Sequence, residues 1–288
     1  MEGIKNLQET LLANKYLLFY KIMKYPIPKN MEYFFFGKKI DQLIKPDNKS
    51  DFSRNKKNKY MDEYIQFINK YGKLYRSLPF VKEIYLCNSI SFNSLNKDSD
   101  IDLFIITKKN SIRRARLFSV LFFRILGIKR YGSKFKKKFC LSFYITQDNK
   151  NLYNIMLSRS DVYLNYWLAH LITLYQEDNN TTNIYTKNPR FKVTMPNHPN
   201  KQCINIGNKV FYGNTKSKKI IENLLGGLIG TLVENTIKLL WIPVLKRKLR
   251  ALGKNSKGII ISNNMLKFYK DQREKIHLMY EIQSKSKR

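Results

Sequence analysis

Cys87-Asn88-Ser89, a polar spacer, and then Ser99-Asp100-Ile101-Asp102-Leu103-Phe104-Ile105-Ile106 is the stretch on which the reading of this chain rests. The apolar run Ile101–Thr107 predicts a strand buried on both faces, because a strand covered on one side only would alternate apolar with polar residues. Alternate side chains of a strand share a face, so Asp100 and Asp102 should project together while Ile101, Leu103 and Ile105 enter the core. Two carboxylates fixed side by side on a buried strand repel each other and are costly unless cations sit between them. Paired Mg²⁺ ions would relieve that repulsion and could grip a triphosphate. Ser89 is expected to precede a short helix whose free N–H groups suit a phosphate.

Working outward, Val81–Cys87 reads as a β-rich strand leading into Asn88-Ser89, and Phe139–Thr146 as a third strand. Between the second and third strands, Ser111–Ile128 predicts an amphipathic helix with Leu117, Leu121, Phe122, Ile125 and Leu126 turned inward. Met61–Leu78 carries apolar residues at helical spacing and is closed by Pro79. The order strand, strand, helix, strand predicts an α+β fold with a small mixed sheet. An N-terminal helical region over 1–78 and a C-terminal helical region over 151–288 should flank a core at 79–150. The first 45 residues read as short helical pieces around a break at Tyr25-Pro26-Ile27-Pro28, ending in the aromatic cluster Tyr33–Phe36. The C-terminal part reads as helices over Arg159–Tyr175, Lys218–Leu252 and Leu266–Ser284, with a Pro/Asn-rich loop near Asn179–Asn200.

Here the motifs point to a family. Asn88-Ser89 followed by Ser99-Asp100-Ile101-Asp102-Leu103 resembles the G-S … D-h-D-h signature (h, hydrophobic) of the DNA polymerase beta-like nucleotidyltransferases. A looser likeness runs over most of the chain to poorly characterised bacterial and archaeal nucleotidyltransferase-domain proteins. It rests on Tyr25-Pro26-Ile27, on Ala169-His170, and on Phe268 to Gln272. The resemblance implies transfer of a nucleoside monophosphate from a nucleoside triphosphate (NTP) to an acceptor hydroxyl, with two Mg²⁺ held by Asp100 and Asp102. It also implies Asn88, Ser89 and Ser99 beside the nucleotide phosphates. The chain departs from the pattern twice. Asn88 stands where glycine is usual, an exchange tolerated where φ is positive. The third strand holds no acid where the family's third carboxylate belongs; Cys140 or Ser142 occupies that place, and Asp148 lies just beyond.

Composition sets the partner classes. The chain of 288 residues has 54 Lys+Arg against 21 Asp+Glu, a formal net charge of +33. Such a surface attracts polyanions, nucleic acid first (RNA before DNA) and anionic membrane second. Of the basic clusters, Lys136–Lys138 lies nearest the carboxylates and is the candidate nucleic-acid contact. Three widely spaced cysteines (Cys87, Cys140, Cys203) and no C-x-x-C pair argue against structural zinc and for a reducing cytoplasm. The N-terminus has no secretory signal pattern. In Ile220–Leu245, Glu222, Glu234 and Lys238 keep the uncharged run well below the ~20 residues that span a bilayer. That segment is expected to be a core helix or one lying on a surface. Gly226–Gly230 (G-G-L-I-G) reads as close helix packing, and His170, among Trp167, Leu171 and Tyr166, as a core histidine. Two further readings follow from the departures and the charge: a weakened fold retained as a nucleic-acid-binding module, and a peripheral membrane or partner-bound protein using Ile220–Leu245.

Overall fold

The structure is a computed structural model. It describes residues 17–26, 58–132, 135–157, 161–178, 183–189, 191, 195, 198–199, 201–202, 204–252, 258–269 and 273–285. The Tyr33–Phe36 cluster, Ile27-Pro28, most of the basic stretch before Asn58, most of the Asn179–Asn200 loop, Cys203 and Gln272 lie outside the described residues.

One seven-stranded mixed sheet organises the protein, in the order β5-β4-β1-β2-β3-β7-β6. Strand β1 (Val81–Cys87) pairs antiparallel with β2 (Ile101–Thr107), which runs parallel to β3 (Phe139–Thr146). These three strands form where the apolar runs place them, and β2 is buried on both faces as expected. The sheet is wider than the sequence suggests, because residues beyond 150 add strands to both edges. Strand β4 (Ile172–Gln176) pairs with β1, and β5 (Phe211–Tyr212) with β4. On the other side β7 (Met265–Lys267) pairs with β3, and β6 (Ile260–Ile261) with β7. The expectation of helix through Tyr175 and from Leu266 is therefore corrected. The helix stops at Ala169 and Ile172–Gln176 is strand, because β1 offers an open edge that a β-branched apolar run can pair with.

The helices show the same override of local pattern by tertiary context. Met61–Leu78 is two helices, α1 (Met61–Asn69) and α2 (Gly72–Ser77). The break lets Gly72 lie against the Phe211 ring, in space that a Cβ would fill. Helix α3 (Ile112–Ile125) crosses from β2 to β3 with a face different from the one expected. Its buried residues are Ile112, Arg113, Arg114, Ala115, Ser119 and Phe123, whereas Leu117, Leu121, Ile125 and Leu126 are exposed. The inward stripe is Ile112, Ala115, Ser119 and Phe123. Arg113 and Arg114, in the first turn, are covered instead by helix α6 (Gly227–Leu252), whose Glu234 carboxylate accepts from both backbone N–H groups and pairs with both guanidinium groups. Leu117 and Leu121 lie on the same side as those arginines, one and two turns further on, where they stay exposed. Helices α4 (Val162–Ala169), α5 (Lys216–Leu224) and α7 (Arg273–Lys285) complete the set named below.

Two cores flank the sheet. Ile101, Leu103 and Ile105 pack with α1, α2 and α3 on one face. Phe104 and Ile106 pack on the other with Trp167, Tyr166 and residues 17–20, which belong to a helical segment at 17–23. His170 lies in this second core, as expected. Its ring nitrogens bond the Tyr20 hydroxyl at 2.6 Å and the Tyr166 carbonyl at 2.8 Å, and Phe92 stacks on it at 4.5 Å. Burial drives its pKa down to about 3, so the ring is neutral.

Candidate metal and nucleotide site

Asp102 is the second residue of β2, and Asp100 immediately precedes the strand. Across the sheet Asp102 sits between Cys87 of β1 and Cys140 of β3. A register shift between Asp102 and Phe104 gives β3 an extra residue there, a bulge, and Cys140, Ser142 and Phe143 all line the same cavity. One ligand-type atom each from Asp100, Asp102 and Cys140 lie within 4.8 Å of one another. The place where the family pattern puts a third carboxylate is thus filled by a thiol, with the Ser142 hydroxyl 3.2 Å from its sulfur. Asp148 does not stand in. It is exposed on a one-turn 3₁₀ helix at the opposite end of β3, about 20 Å along the strand at the usual rise.

The electrostatics of the cluster are unbalanced. Burial, and after it the neighbouring Asp100 charge, raises the Asp102 carboxyl to about 6; hydrogen bonds from Asn88 and Cys140 and the charge of Arg130 oppose the rise. Burial and the charge on Asp102 push the Cys140 thiol up to about 12, so it is neutral at physiological pH. Arg130 is the cation that answers the carboxylates, with Nη1 2.5 Å from Asp100 Oδ2. Its position follows from the sheet edge. The Arg130 N–H donates to the Phe139 carbonyl and the Phe139 N–H to Ile128, so the chain after α3 lies alongside the start of β3. The Arg130 guanidinium also covers the Phe135 ring at 4.4 Å. Nothing in the sequence separates Arg130 from the other cations of that loop, because its placement depends on this backbone pairing.

Asp102, Asn88, Cys140 and Ser142, with the cations Arg130, Lys267 and Arg273, line a cavity of about 580 Å³. Tyr25, Phe143, Tyr163, Trp167, Phe268 and Tyr269 give the same cavity a largely aromatic lining. This size and mixture suit a small ligand with both a charged and a flat apolar part. Two segments of the looser family likeness, around Tyr25 and Phe268, therefore meet at one cavity, whereas the Ala169-His170 pair belongs to the core behind it.

The remaining candidates are placed as follows. Asn88 adopts φ 57°, the left-handed conformation that asparagine tolerates, and its Oδ1 accepts from Trp167 Nε1 at 3.0 Å. Residues after it form turns instead of the expected helix, so Ser89 does not present a helix N-terminus to the cavity. Two bonds set this geometry: Phe92 N–H to the Asn88 carbonyl at 2.9 Å and Ser94 N–H to the Ser89 carbonyl at 2.8 Å. Ser89 and Ser99 lie off the cavity wall. Ser99 instead closes the turn before β2: its hydroxyl accepts from Asn96 N–H at 2.9 Å and its carbonyl from the Tyr64 hydroxyl at 2.6 Å. Its carbonyl also takes the Lys137 N–H, so the lysine loop does adjoin the carboxylate strand. Within that loop Lys136 is exposed, Lys137 pairs with Glu63, and Lys138 Nζ donates to the Gly127 carbonyl at 2.6 Å.

The donor set can be tested against a divalent cation. Two carboxylates whose mutual repulsion raises Asp102, with one partly exposed arginine as counter-charge, form a site that gains from added positive charge. Carboxylate oxygens suit Mg²⁺ or Mn²⁺, whereas a neutral thiol adds little for such hard ions. Asp100 and Asp102 therefore fit one hard cation, and Cys140 does not supply the oxygen ligand a carboxylate would. No family model, no curated protein and no solved structure matches this chain.

Proposed function

We propose that this chain is a metal-dependent nucleotidyltransferase, binding a nucleoside triphosphate in the cavity beside β2 and transferring its nucleoside monophosphate to an acceptor hydroxyl. The observation that carries the reading is the convergence of Asp100, Asp102 and Cys140 within 4.8 Å, with Asp102 and Cys140 opening on a cavity lined also by aromatic rings. When bound, Mg²⁺ would neutralise the phosphates and polarise the phosphorus under attack. The protein's own part is positional. Asp102 and Asp100 hold the cation, and Arg130 lies 2.5 Å from Asp100, within reach of phosphate oxygens. Trp167 fixes the Asn88 amide, and the aromatic wall offers faces on which a base can stack. A two-ion arrangement would have to share the two carboxylates. The high net charge favours an RNA end as acceptor, with Lys136 exposed on the loop that adjoins the carboxylate strand.

The test is transfer from labelled NTP to total tRNA in Mg²⁺. Asp100→Asn with Asp102→Asn should lower the rate about a hundredfold or more while leaving the circular-dichroism spectrum unchanged. Equal rates in variant and parent would remove the site.

One observation favours a second reading. The third corner is a thiol held neutral, so a group able to take the proton of an attacking hydroxyl is not supplied there. On that reading the fold is a nucleic-acid-binding module. Calorimetry with ATP and CTP decides between the two: the module predicts no Mg²⁺-dependent nucleotide heat but salt-sensitive RNA binding.

A further inference from the structure

The helix pair α5–α6 carries the largest exposed apolar surface of the described residues. Leu228, Leu239 and Leu240 are 86%, 74% and 72% exposed, and Ile220, Leu224, Ile229 and Leu232 are also open to solvent. Helix α3, which packs on α6, adds the outward stripe Leu117, Leu121 and Ile125. Among the described residues Gly227–Arg247 is long and apolar enough to cross a membrane, yet only 11% of its apolar window is buried. A core helix, one of the two expectations for this segment, is thereby excluded.

The charges of this segment are sorted by face. Between Lys216 and Leu252 the only acids are Glu222 and Glu234, and both point to the protein body. Glu222 accepts from the Phe80 N–H at 2.6 Å and from Lys108 Nζ at 2.8 Å. Glu234 is locked by Arg113 and Arg114, whose guanidinium occupies the space beside Gly230. The outward side therefore shows no acid. Its exposed charges are basic and stand at the ends of the apolar stripe, Lys216 and Lys219 before it and Lys246, Arg247 and Arg250 after it, while Lys238 between them is half-buried. An apolar face bordered by cations on a chain of net charge +33 is complementary to an anionic lipid surface, where the leucines enter the acyl boundary and the cations meet the headgroups.

We propose that α5 and α6 dock this protein flat on an anionic bilayer, with Leu228, Leu232 and Leu239 inserted and Lys246, Arg247 and Arg250 on the headgroups. The helix lies on the membrane instead of crossing it. Spanning would pull Glu234 away from two buried arginines and place it in hydrocarbon.

The experiment is co-sedimentation of the full chain with vesicles of phosphatidylcholine alone and of three parts phosphatidylcholine to one part phosphatidylglycerol, at physiological salt. The expected result is pelleting with the anionic vesicles and not with the neutral ones. Leu228→Glu with Leu232→Glu and Leu239→Glu should reduce the partition at least about tenfold. Replacing Lys246, Arg247 and Arg250 by Gln should reduce it about fivefold per charge. All six positions are exposed or at the helix end, so an unchanged melting temperature should accompany both variants. A supernatant protein with anionic vesicles overturns the proposal. So does a leucine variant that pellets like the parent, which would mean attraction by charge alone. A stable dimer in sedimentation velocity, lost in the leucine variant and indifferent to vesicles, assigns the face to a second copy and likewise overturns it.

Discussion

At the end of the strand pair where β1 starts and β2 stops, Lys82, Lys108 and Lys218 meet Glu177 and Glu222; at the other end Asp100 and Asp102 meet Arg130. The first cluster is matched. Burial would raise the Glu177 carboxyl, but Lys218 and the hydrogen bonds from Lys82 and Asn214 bring it down to about 2. Lys218 itself is fully buried, 3.2 Å from Glu177, and donates to the Val81 carbonyl at 2.5 Å and to the Tyr175 hydroxyl at 2.9 Å. At the second cluster burial and repulsion win, and Asp102 rises to about 6. The same sheet thus closes one end with satisfied ion pairs and leaves the other short of positive charge. The difference separates a structural cluster from a candidate binding one: a matched network stabilises a fold, whereas an unmatched one costs stability and gains from an added cation.

Breaking the matched end should have the larger effect on stability. Lys218→Met leaves Glu177 and Glu222 short of a buried partner and should cost about 3–5 kcal/mol in urea unfolding, with no change in divalent-ion affinity. A loss below about 1 kcal/mol would mean that the network is no tighter than a surface pair, and the contrast would fail.

The unmatched end should respond in the opposite direction. Asp102→Asn removes a carboxylate whose folded pKa lies above its unfolded value, so the parent binds more protons folded than unfolded between about 4 and 6. That carboxyl's contribution therefore worsens as pH rises through this window and is absent below it. The variant should be more stable than the parent by roughly 1–3 kcal/mol at pH 7.5, and the gain should vanish below about pH 4. A variant less stable than the parent at pH 7.5 would contradict the unmatched charge.

How far the sequence alone reaches follows the same physics. Strands β1, β2 and β3 were legible because their apolar runs demand burial on both faces whatever surrounds them. Strand β4 was not, since Leu171–Tyr175 is apolar but for Thr173 and only the open edge of β1 selects strand over helix. The face of α3 was misread because the leucine stripe outweighs, in any pattern, the smaller stripe Ile112, Ala115, Ser119 and Phe123 that the sheet buries, and the burial of Arg113 and Arg114 depends on Glu234, more than a hundred residues later. Within the cluster, the common face of Asp100 and Asp102 follows from their spacing, and so does that of Cys140 and Ser142. The placement of Arg130 depends on a backbone pairing with Phe139, which leaves no mark in local sequence.

The central claim, that Asp100 and Asp102 form a cation site, is tested most directly by titrating the protein with Mn²⁺ and reading the free ion by electron paramagnetic resonance. The account predicts saturable binding by the parent, tightening as pH rises through about 6 where Asp102 ionises, and its loss in Asp100→Asn with Asp102→Asn. Binding of equal strength in the parent and that variant would contradict it.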